Sequence, residues 1–203
     1  MTDEGARNPS SRGFGGEDPF TRRSSSPRVV VVGMGSEWRR DDGVGPAVVR
    51  RVEEHAADGG FARCRIVVPL ADPLDLLGLW DGADLAVVVD ATRSGLSPGT
   101  ISRIEFGDER KETTGDASGC PLHSHGTADE SVADASSSTH GIGLTGVVRL
   151  SRIIERAPRR IVVVAVEGED FGQGTELSPA VASSVDEAAN CVIELIWESL
   201  ACA

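Results

Sequence analysis

The stretch Val29-Val30-Val31-Val32-Gly33-Met34-Gly35-Ser36-Glu37-Trp38-Arg39-Arg40-Asp41-Asp42-Gly43-Val44-Gly45-Pro46-Ala47-Val48-Val49-Arg50-Arg51-Val52 decides the fold class. Four consecutive valines between Pro27 and Gly33 read as a buried strand. A polar loop follows, and then Val44, Val48, Val49 and Val52 recur at helical spacing, with Pro46 tolerated in the first turn. Strand, loop and amphipathic helix in that order form the opening unit of a parallel α/β sheet.

The same alternation continues outward. Arg65–Val68 reads as a second strand, and Pro73 opens a short helix through Leu74, Leu77 and Trp80. Leu85–Val89 reads as a third strand ending at Asp90. Thr100–Phe106, with Ile101, Ile104 and Phe106, reads as an edge strand after the turn Ser97-Pro98-Gly99. Leu144, Val147, Val148, Ser151 and Ile154 form a helical stripe, Ile161–Val166 is another apolar strand, and Val181 to Leu200 is a final helix. The expected architecture is a three-layer α/β sandwich: a mostly parallel, twisted sheet of about five strands with helices on both faces. Ligands in such sheets bind beyond the carboxyl ends of the strands, where strand order reverses. Functional residues are therefore sought just after Val32, Val68, Val89 and Val166.

Two segments fall outside this pattern. Residues 1–27 are rich in Gly, Ser, Arg and Pro and have no apolar period, so they read as a disordered tail. Residues 107–139 are acidic and Ser/Thr/Gly-rich with few aliphatic residues, and read as a mobile insertion. The expected organisation is this tail followed by a single domain over 28–203. Arg22-Arg23 resembles an export signal, but the apolar run after it stops at Gly33, too short for a signal core. A cytoplasmic location is expected.

The 203 residues carry a net charge of −12, with 39% apolar and 26% charged side chains. This excess of acid argues against nucleic acid and anionic membrane as partners. No run approaches the roughly 18 apolar residues of a membrane helix. The cysteines Cys64, Cys120, Cys191 and Cys202 have no CxxC spacing, so free thiols are expected rather than a zinc ribbon or disulfide framework.

Gly33-x-Gly35 after a strand invites a dinucleotide-binding reading, which two features oppose. Trp38 stands where a third glycine belongs, and the second strand runs into Pro69 instead of an acid. Glu37, Asp41 and Asp42 also make this loop a poor cradle for phosphate and a better one for a cation. Asp42 before the first helix, Asp90 at the end of the third strand and His140 before the Leu144 helix fall where a site is expected. Two carboxylates and an imidazole suit a divalent transition ion with open coordination positions. Simpler roles compete: Asp41 or Asp42 as a helix cap, Asp90 as a turn cap, His140 as a solvent-facing side chain. His123 and His125 form an HxH pair in the insertion, where adventitious metal binding is the simpler reading.

The ordered set Val29–Ser36, Asp41-Asp42-Gly43-Val44-Gly45, Val87-Val88-Val89-Asp90-Ala91, Ser97-Pro98-Gly99-Thr100, Ser138–Leu144 and Leu177–Val181 resembles the hydrogenase maturation endopeptidases. These enzymes trim the C-terminus of the large-subunit precursor of nickel–iron hydrogenases. The resemblance spans nearly all of residues 28–200. It implies a phosphorylase/hydrolase-like sandwich and an endopeptidase, aspartic-type or metal-assisted, acting on that precursor. It also implies Asp42, Asp90 and His140 as both nickel-binding and catalytic residues, with the nickel arriving on the substrate rather than as a permanent cofactor. Asp41 is then left to cap the helix near Gly43, and a monomer is expected. The chain departs from the family pattern at Ser36, where Asn is usual, at Leu70-Ala71-Asp72-Pro73, and in the length of the acidic insertion. The competing function is a non-enzymatic nickel-dependent binding module or chaperone for the same precursor.

Overall fold

The computed structural model describes residues 28–56, 61, 64–70, 72–106 and 143–201. The expectations for residues 1–27 and 107–139, and for His123, His125 and His140, lie outside the described residues.

Five strands form one sheet: β1 (Val29–Met34), β2 (Cys64–Leu70), β3 (Leu85–Thr92), β4 (Ile101–Phe106) and β5 (Arg160–Glu167). Their spatial order is β2-β1-β3-β5-β4, all parallel except β4, which runs antiparallel along β5 at the edge. The connecting helices are α1 (Val44–Ala56), α2 (Leu76–Leu79), α3 (Leu144–Ile153) and α4 (Pro179–Ala201). This is the expected mostly parallel sandwich.

The pleat of β1 explains the layering. Val29 and Val31 pack on one face with Val44, Val48, Val49 and Val52 of α1 and Val181, Ala188, Val192, Leu195 and Ile196 of α4. Val30 and Val32 pack on the other face with Leu76 of α2, Trp80, and Leu144, Val147 and Val148 of α3. A strand buried on both faces has no polar side to alternate, so it appears as an unbroken valine run. Although α4 is 23 residues long, no described helix is long and apolar enough to cross a membrane.

Several elements exceed their expected bounds. β2 continues through Pro69 to Leu70, which an edge strand tolerates because one row of its backbone groups lies outside the ladder. β3 continues past Asp90 to Thr92, because Asp90, Ala91 and Thr92 pair with Ala165, Val166 and Glu167 of β5. Asp90 is therefore a strand residue rather than the first residue of a loop. Pro73 opens a single 3-10 turn, capped by the Asp72 carboxylate accepting from Leu74 N at 2.9 Å, before α2 begins.

The start of α1 lies hard against the carboxyl ends of β1 and β3. A Cβ added at Gly45 would run into the Met34 carbonyl oxygen and lie 2.5 Å from that of Val89. One at Gly33 would lie 2.6 Å from the Gly45 carbonyl oxygen. Gly45→Ala is accordingly expected to lower stability by about 3 kcal/mol, since two backbone carbonyls cannot rotate away as a side chain would. Urea unfolding checks this, with the midpoint falling and the slope unchanged.

Candidate active site

Strand order reverses between β1 and β3. The chain crosses from β1 outward to β2, then returns to place β3 on the other side of β1. The crevice at the carboxyl edge lies at this reversal. Asp42 enters it from the loop after β1 and Asp90 from the end of β3. The two strands that deliver them are hydrogen-bonded neighbours, with Val32 opposite Val88 and Gly33 opposite Val89.

The loop after β1 is tightly built. Gly35 has φ +107°, and its N–H donates to Leu70 O at 3.1 Å, tying the loop to the end of β2. A Cβ at Gly35 would collide with the Asp42 carbonyl oxygen, so only glycine lets the loop close on itself here. The 3-10 turn Arg40–Gly43 then leads into α1. Within the closed loop, Ser36 N donates to Asp42 Oδ2 at 2.9 Å. The donor is a backbone N–H, so this contact orients Asp42 whatever side chain position 36 carries.

Asp90 accepts from Ala91 N through Oδ1 at 2.9 Å. Burial pushes its carboxyl well above the ordinary carboxylate range, and the neighbouring negative charge of Asp42 pushes it further, to about 7; the Ala91 N–H only partly opposes this. Asp90 thus lies within electrostatic reach of Asp42. Each anchors one oxygen on a backbone N–H and leaves the other without a hydrogen-bond partner among the described residues. Two neighbouring carboxylates with one free oxygen each make a donor pair for a divalent cation. Among the described residues no group of three or more His, Cys, Asp or Glu is arranged to hold a metal. The third residue expected from the sequence, His140, lies outside them.

Asp41 corrects one expectation. It does not cap α1. It is fully buried, accepting from Glu169 N at 2.9 Å and Asp170 N at 2.8 Å through Oδ2, and from Ser178 N at 2.6 Å through Oδ1. Burial alone would push its carboxyl up, but the backbone donors of Asp170, Ser178 and Glu169 outweigh that and hold it below the usual value. Asp41 therefore fastens the loop after β1 to the loop between β5 and α4. Backbone bonds reinforce the junction: Asp41 N to Asp170 O at 3.0 Å, Arg40 N to Gly174 O at 2.9 Å and Gly174 N to Trp38 O at 3.0 Å. Adjacent acids thus have separate partners, Asp41 the loop between β5 and α4 and Asp42 its own loop beside Asp90.

Glu167 is a site-edge residue that the sequence reading missed. At 2% exposure it accepts from Ser94 N at 3.0 Å, Ser94 Oγ at 2.7 Å and Gly95 N at 2.8 Å. Three donors on one buried carboxylate hold the loop after β3 against the end of β5. The available signal was an acid closing an otherwise apolar strand, the same pattern that drew attention to Asp90. Burial pushes the Cys64 thiol up to about 12, which leaves it inert as a nucleophile.

No family model matches the chain, and no curated protein matches it. Solved structures do, and they define a class of fold: that of the hydrogenase maturation proteases. The hydrogenase maturating endopeptidase HybD from E. coli superimposes with a TM-score of 0.62 at 21% identity, covering 85% of this chain and 93% of that one. The [NiFe] hydrogenase maturation protease HybD from Thermococcus kodakarensis gives a TM-score of 0.55 at 19% identity, covering 83% and 99%. A hydrogenase 2 maturation peptidase from a Thaumarchaeota archaeon gives 0.55 at 20%, covering 83% and 97%. The chain shares their fold over nearly their whole length.

Proposed function

We propose that this chain is an endopeptidase that removes a C-terminal peptide from the nickel-loaded large-subunit precursor of a nickel–iron hydrogenase. The observation that carries this reading is the pair Asp42 and Asp90, delivered by adjacent strands into the crevice at the reversal of strand order. The fold shared with three hydrogenase maturation peptidases supports it.

In this reading Asp42, Asp90 and His140 grip the nickel carried by the precursor and so bring the scissile peptide into the crevice. The metal is part of the substrate, and the cut waits for its insertion. The cut itself is hydrolysis: a water adds to the scissile carbonyl as a base takes its proton, and the base then passes that proton to the leaving nitrogen as the C–N bond breaks. A carboxylate of the pair supplies the base in an aspartic-type route, while in a metal-assisted route the same residues hold the ion that polarises the carbonyl. Both routes need one free oxygen on each acid, which the geometry provides.

The test is to incubate the protein with nickel-loaded and nickel-free precursor and to measure the mass of the large subunit. Shortening of the loaded form alone is expected. Binding of the loaded precursor without shortening would instead identify a non-enzymatic binding module. His140→Ala is expected to abolish shortening with melting unchanged, and full cleavage by that variant would remove His140 from the site.

A further inference from the structure

Two loops leave the carboxyl edge from the strands that bound the crevice, and each holds a large apolar side chain in solvent. Trp38, after β1, is 74% exposed, and Leu96, after β3, is 52% exposed. Isolated exposed apolar residues are ordinary on protein surfaces. These two stand on loops at the carboxyl edge, beside the crevice, and their backbones are held by hydrogen bonds. The Trp38 carbonyl accepts from Gly174 N at 3.0 Å, and the next two residues are fixed by Arg39 N to Ser36 O at 3.0 Å and Arg40 N to Gly174 O at 2.9 Å. Leu96 follows Ser94 and Gly95, whose N–H groups are clasped by Glu167, and it precedes a turn closed by Thr100 N to Ser97 O at 3.0 Å. An aromatic side chain on a backbone already ordered loses little freedom on binding, which favours it as an anchor.

Beside these two residues the loop acids are already engaged: Glu37, which precedes Trp38, pairs with Arg50, and Glu167 is taken up by Ser94 and Gly95. Arg39 follows Trp38, is exposed, and has no ion pair among the described residues. Exposed Arg93 begins the loop that carries Leu96, its guanidinium 4.7 Å from the centre of the Phe171 ring. A chain of net charge −12 thus carries cations beside both apolar side chains, with the acids Asp42 and Asp90 on the elements between. A rim of this kind suits a peptide with apolar side chains and negative charge near the cut.

We infer that Trp38 and Leu96 are specificity-determining residues that grip apolar side chains of the precursor on either side of the scissile bond, with Arg39 and Arg93 favouring acidic neighbours. The inference rests on the peptidase reading above and names the rim that selects its substrate.

Steady-state cleavage of the nickel-loaded precursor tests it with wild type, Trp38→Ala, Trp38→Phe, Leu96→Ala and Trp197→Ala. Trp197 is a fair control: it is 51% exposed but packs on Phe61, which precedes β2 at the opposite edge of the sheet. Trp38→Ala is expected to raise KM about 30-fold with kcat within about 2-fold, as for loss of an aromatic anchor. Trp38→Phe should recover most of that loss, Leu96→Ala should raise KM about 5-fold, and Trp197→Ala should match wild type. An unchanged KM for Trp38→Ala, or a fall in kcat alone, would overturn the inference while wild-type cleavage keeps the peptidase reading standing. Failure of the wild type to cleave would overturn the peptidase reading and the inference with it.

Discussion

Asp42→Asn is expected to abolish cleavage of the loaded precursor without lowering the melting temperature, whereas its neighbour Asp41→Asn is expected to do the reverse in order of cause. Asp42 spends one oxygen on Ser36 N, and an Asn carbonyl oxygen can keep that bond. What the change removes is a negative charge and a carboxylate oxygen from a site meant for a divalent ion, for which an amide oxygen is a poorer ligand. Asp41 receives three backbone N–H groups on its two oxygens in a fully buried position. An Asn there offers one oxygen and turns an NH2 group toward N–H donors. Leaving buried donors unpaired costs about 1–3 kcal/mol, more when the lost acceptor was charged. A fall in melting temperature on the order of 10 °C follows for a domain of this size. Cleavage by Asp41→Asn should drop only as the folded fraction and the loop's order drop. Calorimetry and cleavage on the same two variants check this. Normal cleavage by Asp42→Asn would displace the site.

Asp90→Asn should abolish cleavage and at the same time make the protein more stable at neutral pH. Burial, with the charge of Asp42 beside it, lifts the Asp90 carboxyl from 3.8 to about 7 in the folded chain. Its neutral form is therefore the one the fold prefers. Below pH 4 the group is protonated in both folded and unfolded chains and has no effect on stability. As pH rises from about 4 to 7 the unfolded chain gives up this proton before the folded chain does. Stability from this group is lost across that window and stays lost above it. Asn is neutral throughout and can keep the bond from Ala91 N. The variant should match wild type near pH 4 and exceed it by about 2 kcal/mol at pH 8 after solvent screening is allowed for. That corresponds to a rise on the order of 5 °C. Melting measured against pH in the presence of a chelator checks it. Equal melting of the two proteins at pH 8 would show that Asp90 is better solvated than its setting implies. A residue that destabilises its own fold and is held at the switch point of the sheet is what a functional carboxylate looks like in stability data.

The loops around the crevice account for why two carboxylates can be held so close to each other's charge. Asp41 ties the loop after β1 to the loop before α4, and Glu167 ties the loop after β3 to the end of β5. Each uses a buried acid to gather backbone N–H groups. The scaffold thus carries its own anions on strong donor sets, while Asp42 and Asp90 receive one N–H apiece and keep an oxygen in reserve.

The sequence by itself determined the layers. Unbroken valine runs can only be strands buried on both faces, and the helical stripes between them supply the covers, so sheet, helices and the crevice's general position were legible from local chemistry. It also marked Asp42 and Asp90, because acids that close apolar strands or open helices are out of place in a core. The work of Asp41 was decided by tertiary structure alone. Asp41 and Asp42 are chemically identical and adjacent, and only the arrival of Glu169, Asp170 and Ser178, well over a hundred residues further along the chain, turns one of them into a structural acceptor. Glu167 was visible as an acid closing an apolar strand, but its work was not, since its partners Ser94 and Gly95 lie far away in sequence. The lift on Asp90 likewise needs burial and a neighbouring charge that come together only when β3 pairs with β1. Local pattern fixes what a segment becomes; long-range pairing assigns the work of each polar side chain, because hydrogen bonds and charge act through space and not along the chain.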